Sequence, residues 1–220
     1  MSRGRSKGGK RDIPSIERRK TGRLLPRIRI TVFCEGKNSE PEYLKTVTGI
    51  YGNQLVEIVL ERAAGVPITL VEKAISELKR RGRPKNSFEQ NDQIWVAFDR
   101  DDHPKVPQAI NAAKQSGICV AYSNPCFELW GILHFGDHDA PISRHAAQKL
   151  LSKLMPGYDP NKGKYLNFDL ASASLGEASA RAKKMRQRRI SESKPLENPY
   201  TDFDVLVDLI IANGRKLKRH

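Results

Sequence analysis

This chain has little that would cross-link it or seat it in a bilayer. Its three cysteines, Cys34, Cys119 and Cys126, are far apart and form no CxxC pair, which argues against a disulfide framework and a structural zinc site and suits a reducing compartment. No apolar run approaches the roughly 20 residues needed to cross a membrane, and the amino-terminal residues lack the apolar stretch of a secretory signal. The expectation is a cytoplasmic protein with no membrane partner. No GxxxxGK[ST] phosphate loop occurs, so any nucleotide energy must come from another protein. Negative charge is also short: 39 Lys and Arg face 25 Asp and Glu, a formal net charge of +14. Such an excess steers polyanions and releases their counterions, which makes nucleic acid the expected partner.

Much of that excess is local. Residues 1–27 are rich in Arg, Lys, Gly and Ser and show no apolar period, so they are expected to form a flexible, disordered basic arm. Residues 28–213 are expected to form one domain, and 214–220 a basic tail. Within the domain, Arg27 to Gly36 alternates and then turns continuously apolar, as a strand entering a covered sheet does. Further strands are expected over 54–61, 94–98 and 118–125, separated by helical patterns at 39–51, 66–82 and 104–117. Strands spaced by helices imply crossovers in an α/β, mostly parallel four-stranded sheet flanked by helices. After residue 125 four helical patterns follow, a helical carboxyl-terminal extension on the same core.

Two strands end on carboxylates. Glu35 follows the first, and Asp99 and Asp101 follow the run "QIWVAF". Ligands in open α/β sheets bind beyond the carboxyl ends of strands. If these two strands are parallel neighbours, three carboxylates converge there, and they cannot all stay ionised without a cation. Oxygen-only ligation selects magnesium, with manganese as the alternative. Such an ion suits phosphodiester hydrolysis, with Glu35 as ligand, general base or both. Innocent readings stand beside this one: Glu35 paired with an arginine, and aspartates that merely end a strand.

The blocks "FCEGKNSEPEYL", "VAFDRDDH" and "YSNPCFELWGILHF", followed by "NPYTDFDVLVDLI", together resemble the signature of the RloB family of bacterial defence loci, from about Ile30 to Asn213. That resemblance implies a Toprim-like (Rossmannoid) domain. It implies a Toprim-type centre in which Glu35, Asp99 and Asp101 hold magnesium and carry catalysis. It further implies a nuclease effector of anti-phage abortive infection that works beside a partner ATPase, with RNA, tRNA in particular, slightly favoured over DNA. The rivals are a non-catalytic nucleic-acid-binding or sensor subunit, and a phosphatase-like enzyme with Asp99 as nucleophile.

Other residues join the candidate list. Glu40 and His103 flank the centre in sequence, Asn124 is placed to cap the helix after the fourth strand, and Glu128 sits in that helix's first turn among apolar neighbours. Acidic Glu40 and Glu42 are also accounted for by a helix dipole. Trp130 and His134 read as core. Lys162 and Lys164, set between two tyrosines, and Arg181, Lys183, Lys184 and Arg186 on a basic helix are the expected nucleic-acid contacts, against the alternatives of a solvated loop and an acidic protein partner. Oligomeric state leaves no signal in the sequence.

Overall fold

Ile28, Ile30, Val32 and Cys34 bury their side chains on one face of the first strand, and Phe33 is buried on the other. That two-sided burial is why the run "VFC" loses its alternation: both faces are covered. The structure is a computed structural model describing residues 28–36, 38–62, 65–87, 89–100, 103, 105–162, 165–167 and 174–214. The expected basic arm, residues 215–220 of the expected tail, Asp101 and Lys164 lie outside the described residues.

In chain order the elements are β1 (Ile28–Cys34), α1 (Ser39–Tyr51), β2 (Val56–Arg62), α2 (Pro67–Arg81), β3 (Gln93–Asp99), α3 (Val106–Gln115) and β4 (Cys119–Asn124). There follow α4 (Glu128–Leu133), α5 (Arg144–Leu154), α6 (Leu175–Ser191), β5 (Tyr200–Thr201) and α7 (Phe203–Gly214). The sheet order is β2-β1-β3-β4-β5. All pairs are parallel except the last, where Ser123 and Asn124 meet Thr201 and Tyr200 antiparallel. The four expected strands therefore gain a fifth. Tyr200–Thr201 is too short to show a period, and it becomes a strand only because the edge of β4 offers unpaired backbone groups.

Helices cover both faces. One layer packs α2 and α3 on Phe33, Val96, Phe98 and Tyr122. The other packs α1, α4, α6 and α7 on Ile30, Val32, Trp95 and Ala97. Outside it, α5 covers α4 through Cys126, Ile132, Ala147 and Leu151. Leu44, Leu129, Trp130 and Leu206 are fully buried in this second layer, and each such side chain contributes about 1.5–3 kcal/mol. Close approach accounts for one glycine: a Cβ at Gly214 would lie 1.6 Å from the Tyr51 carbonyl oxygen. Among the described residues no helix is long and apolar enough to cross a membrane.

Topology fixes where a ligand can sit. The chain leaves β1 for β2 on one side, then returns past β1 to β3 on the other, so the strand order reverses between β1 and β3. With α1 on one face and α2 on the opposite face, the helices diverge there and open a crevice at the carboxyl ends.

Candidate functional site

Parallel pairing brings Cys34 beside Ala97, so the residues after them leave the sheet together at this crevice. The Glu35 N–H donates to the Ala97 carbonyl at 3.0 Å, extending the ladder by one residue. The Glu35 side chain then turns back across β3: the Asp99 N–H donates to its Oε2 at 3.3 Å. Its other oxygen, Oε1, lies 3.3 Å from His103 Nε2. Arg100 steadies this loop, its N–H donating to the Ser123 carbonyl at 2.8 Å and its guanidinium to the His103 carbonyl at 2.7 Å. Glu35, Asp99 and His103 are thus brought together, although 64 positions separate Glu35 from Asp99.

Glu40 belongs to the same neighbourhood. It is buried in the first turn of α1, and its carboxylate fills the space over Gly36, where a Cβ would lie 1.9 Å from Oε2. A glycine after Glu35 is what lets that carboxylate approach the strand-end loop. Desolvation, with a smaller contribution from the Glu40 charge, pushes the buried Cys34 thiol up. Burial likewise pushes up Cys126, whose charged neighbours are Glu128 and Asp99. Both thiols stay protonated and are poor metal ligands, so the possible donors at this centre are the carboxylate oxygens and the His103 imidazole. A hard oxygen set fits magnesium or manganese. Among the described residues no group of three or more His, Cys, Asp and Glu side chains is arranged to hold a metal ion; Asp101 lies outside them.

Other expected site residues are placed elsewhere. Glu128 is buried, and its Oε1 accepts from Gln148 Nε2 on α5 at 3.3 Å and from the Oη of Tyr158, just beyond α5, at 2.7 Å. Asn124 does not cap α4, whose N-cap position is Phe127; its Nδ2 instead donates to the Leu196 carbonyl at 2.9 Å. The reason is local: three residues separate Asn124 from the helix, too far for its side chain to reach the first turn. His134 is buried as expected, with Nε2 3.3 Å from the Tyr43 hydroxyl and its ring packed on Trp130.

The basic helix is largely committed inside the fold. Arg186 grips the Asp204 carboxylate through both oxygens and donates to the Thr201 carbonyl at 2.8 Å. Arg181 donates to the Leu133 carbonyl at 2.7 Å and pairs with Glu177. Lys184 lies 3.0 Å from Asp137, while Lys183 is exposed with no ion pair to a described residue. Lys162 is exposed beside Asp159 at 3.8 Å. Of the two tyrosines flanking that loop, Tyr158 is buried on Glu128 and only Tyr165 is exposed.

The sequence reading missed Arg100 and the pair Asp202 and Asp204. Burial pushes the Asp202 carboxyl up to about 6, although it accepts from the Tyr122 N–H at 2.6 Å. The available signal was the block "TDFDVLVD" itself, in which two acids precede an apolar run too hydrophobic to be a surface helix.

A family model described as RloB-like protein matches residues 30–210. No curated protein and no solved structure matches the chain.

Proposed function

The chain belongs to the RloB-like family, and from that membership and the strand-end carboxylates we propose that it is a magnesium-dependent nuclease with a Toprim-type centre. One observation carries the reading: Glu35 and Asp99 end adjacent parallel strands at the point where strand order reverses, with His103 on the outer oxygen of Glu35. Glu35, Asp99 and Asp101 would hold the ion. Bound there, it would neutralise the non-bridging phosphate oxygens and lower the pKa of an attacking water.

The residues of the chain do the rest. Asp99 is fixed by its place in the β3–β4 ladder opposite Ser123. Glu35 is oriented by the Asp99 N–H on one oxygen and by His103 on the other. A water proton passes to this Glu35–His103 pair as the water oxygen bonds to phosphorus. The ester phosphorus–oxygen bond breaks, and the departing oxygen takes a proton from solvent. The Arg100 bond to the His103 carbonyl keeps the imidazole beside the carboxylate.

In this reading the protein is a cytoplasmic effector of anti-phage defence, acting in abortive infection with a partner ATPase that supplies the nucleotide chemistry this sequence lacks. RNA, tRNA in particular, is favoured over DNA. The purified chain, alone and with the ATPase of its own locus, should cut tRNA faster than duplex DNA in magnesium. EDTA should stop cutting and added magnesium restore it. No cutting of either substrate with the partner present would reject the nuclease.

A further inference from the structure

Strand β5 stops short. It pairs with β4 only at Ser123 and Asn124, and the next residue, Asp202, takes over the edge. Its N–H donates to the Tyr122 carbonyl at 3.1 Å, and its Oδ1 accepts from the Tyr122 N–H at 2.6 Å. After Asp202 the chain turns into α7, and among the described residues no strand covers the edge of β4 at Cys119 and Val120. A cavity of about 440 Å³ opens there, between that bare edge, the end of α3 and the segment that leads into β5. Its volume falls in the range of small-ligand pockets, roughly 300–1,000 Å³.

The lining is apolar and aromatic, with one charge of each sign. Trp95, Tyr122 and Tyr200 contribute rings, those of the two tyrosines lying 5.8 Å apart at 40°. Lys114, exposed on α3, makes no ion pair with a described residue. Asp202 is the other charge, and its acceptors are only partly used. Oδ1 holds the Tyr122 N–H, and Oδ2 holds the Tyr200 hydroxyl at 3.2 Å. A carboxylate offers about four lone-pair sites, so one is left on each oxygen. A half-buried carboxylate with acceptors to spare calls for donors.

The ligand that fits is planar and carries two neighbouring N–H donors beside an acceptor. Among the nucleobases guanine meets that description: its N1–H and 2-amino group match the two oxygens of a carboxylate, and its O6 and N7 accept from a lysine. Adenine and cytosine lack the imino N–H, and uracil lacks the amino group. The aromatic walls suit the faces of a base, which stack on tyrosine rings.

We infer that the cavity at the bare edge of β4 is a guanine-binding site, in which Asp202 reads N1–H and the 2-amino group, Lys114 reads O6, and the tyrosine rings pack the base. Two sources present guanine: a free nucleotide and a strand of nucleic acid. The strand source deepens the nuclease reading and rests on it. Tyr122 precedes Ser123, whose partner across the ladder is Asp99, so a base held here belongs to a strand that passes the carboxylate centre, and the site selects where that strand is cut.

The test measures binding to the full-length protein without divalent metal, at about pH 8, where Asp202, pushed up to about 6 by burial, is ionised. Calorimetry uses GMP, IMP and AMP; anisotropy uses labelled RNA hexamers, one all uridine and one with a single internal guanosine. IMP differs from GMP only in lacking the 2-amino group, and it should bind about 10–100-fold more weakly, the cost of one hydrogen bond to a charged group. AMP should bind at least as weakly as IMP. Asp202→Asn, which can still accept from the Tyr122 N–H, should bring all three to within about threefold of one another with circular dichroism unchanged. Lys114→Gln on its exposed helix face should weaken GMP by about three- to tenfold, and Lys149→Gln on α5 should leave it unchanged. A guanosine hexamer that binds at least about tenfold tighter than the uridine hexamer, with that margin lost in Asp202→Asn, assigns the guanine to a strand. GMP selectivity without that margin assigns it to a free nucleotide. Equal affinity for GMP, IMP and AMP together with equal affinity for the two hexamers would overturn the site, as would a guanine preference that survives Asp202→Asn. Because no cutting is measured, a failed nuclease assay leaves this result standing, and the reverse holds too.

Discussion

Asp99→Asn and Glu35→Gln should each lower magnesium-dependent cleavage by about 10²–10⁴-fold, the range expected when a positioned proton acceptor or charge-stabilising group is lost. Both changes keep side-chain volume, and the bond from the Asp99 N–H to residue 35 can survive in each. Circular dichroism should therefore show an unchanged fold. Time courses of end-labelled tRNA at saturating enzyme give the rate. The same assay separates this centre from the basic helix: Lys184→Ala, which removes only an exposed pair with Asp137, should cut at the parent rate. Full activity in Asp99→Asn would remove Asp99 from the site.

Stability should depend most on a different carboxylate. The side chains of Arg186 and Asp204 are 17% and 4% exposed, and the two-point contact between them ties α6 to the start of α7. Arg186 also holds the Thr201 carbonyl, and Thr201 is where β5 pairs with Ser123 at the end of β4. Asp204→Ala leaves a largely covered guanidinium without its counterion, a loss of about 3–5 kcal/mol. For a domain of this size that corresponds to a melting temperature lower by about 6–20 °C. Replacing both partners by apolar residues, Arg186→Met with Asp204→Leu, should recover most of it. A shift below about 2 °C in Asp204→Ala would show the pair to be energetically idle.

These two carboxylates mark how far the sequence could be read. β1 and β3 were legible because a continuous apolar run that stops abruptly at an acid marks a covered strand emerging at a polar crevice, but their adjacency was only a condition in the sequence, and it is the fold that pairs them. α2, α5, α6 and α7 were legible from their periods; the cap of α5, Ser143 accepting from the Ala146 N–H at 3.2 Å, was not among the features read from the sequence. Partner choice was not legible. Arg186 looked like a phosphate contact because a basic helix with charge all round gives no sign of which cation turns inward. Only the packing of α6 against α7 and β5 decides that, and it sets Arg186 on Asp204. Asn124 failed as a cap for a similar reason, since the helix begins at Glu128 rather than directly after the strand. β5 lies 76 residues beyond β4, and no local pattern announces a pairing of two residues at that separation.

The most direct measurement is manganese binding to the full-length protein, followed by electron paramagnetic resonance of the free ion, in the parent chain and in Glu35→Gln and Asp99→Asn. Convergent carboxylates predict a saturable site whose affinity falls at least about tenfold in each variant. Equal manganese affinity in all three proteins would show that these side chains hold no dication.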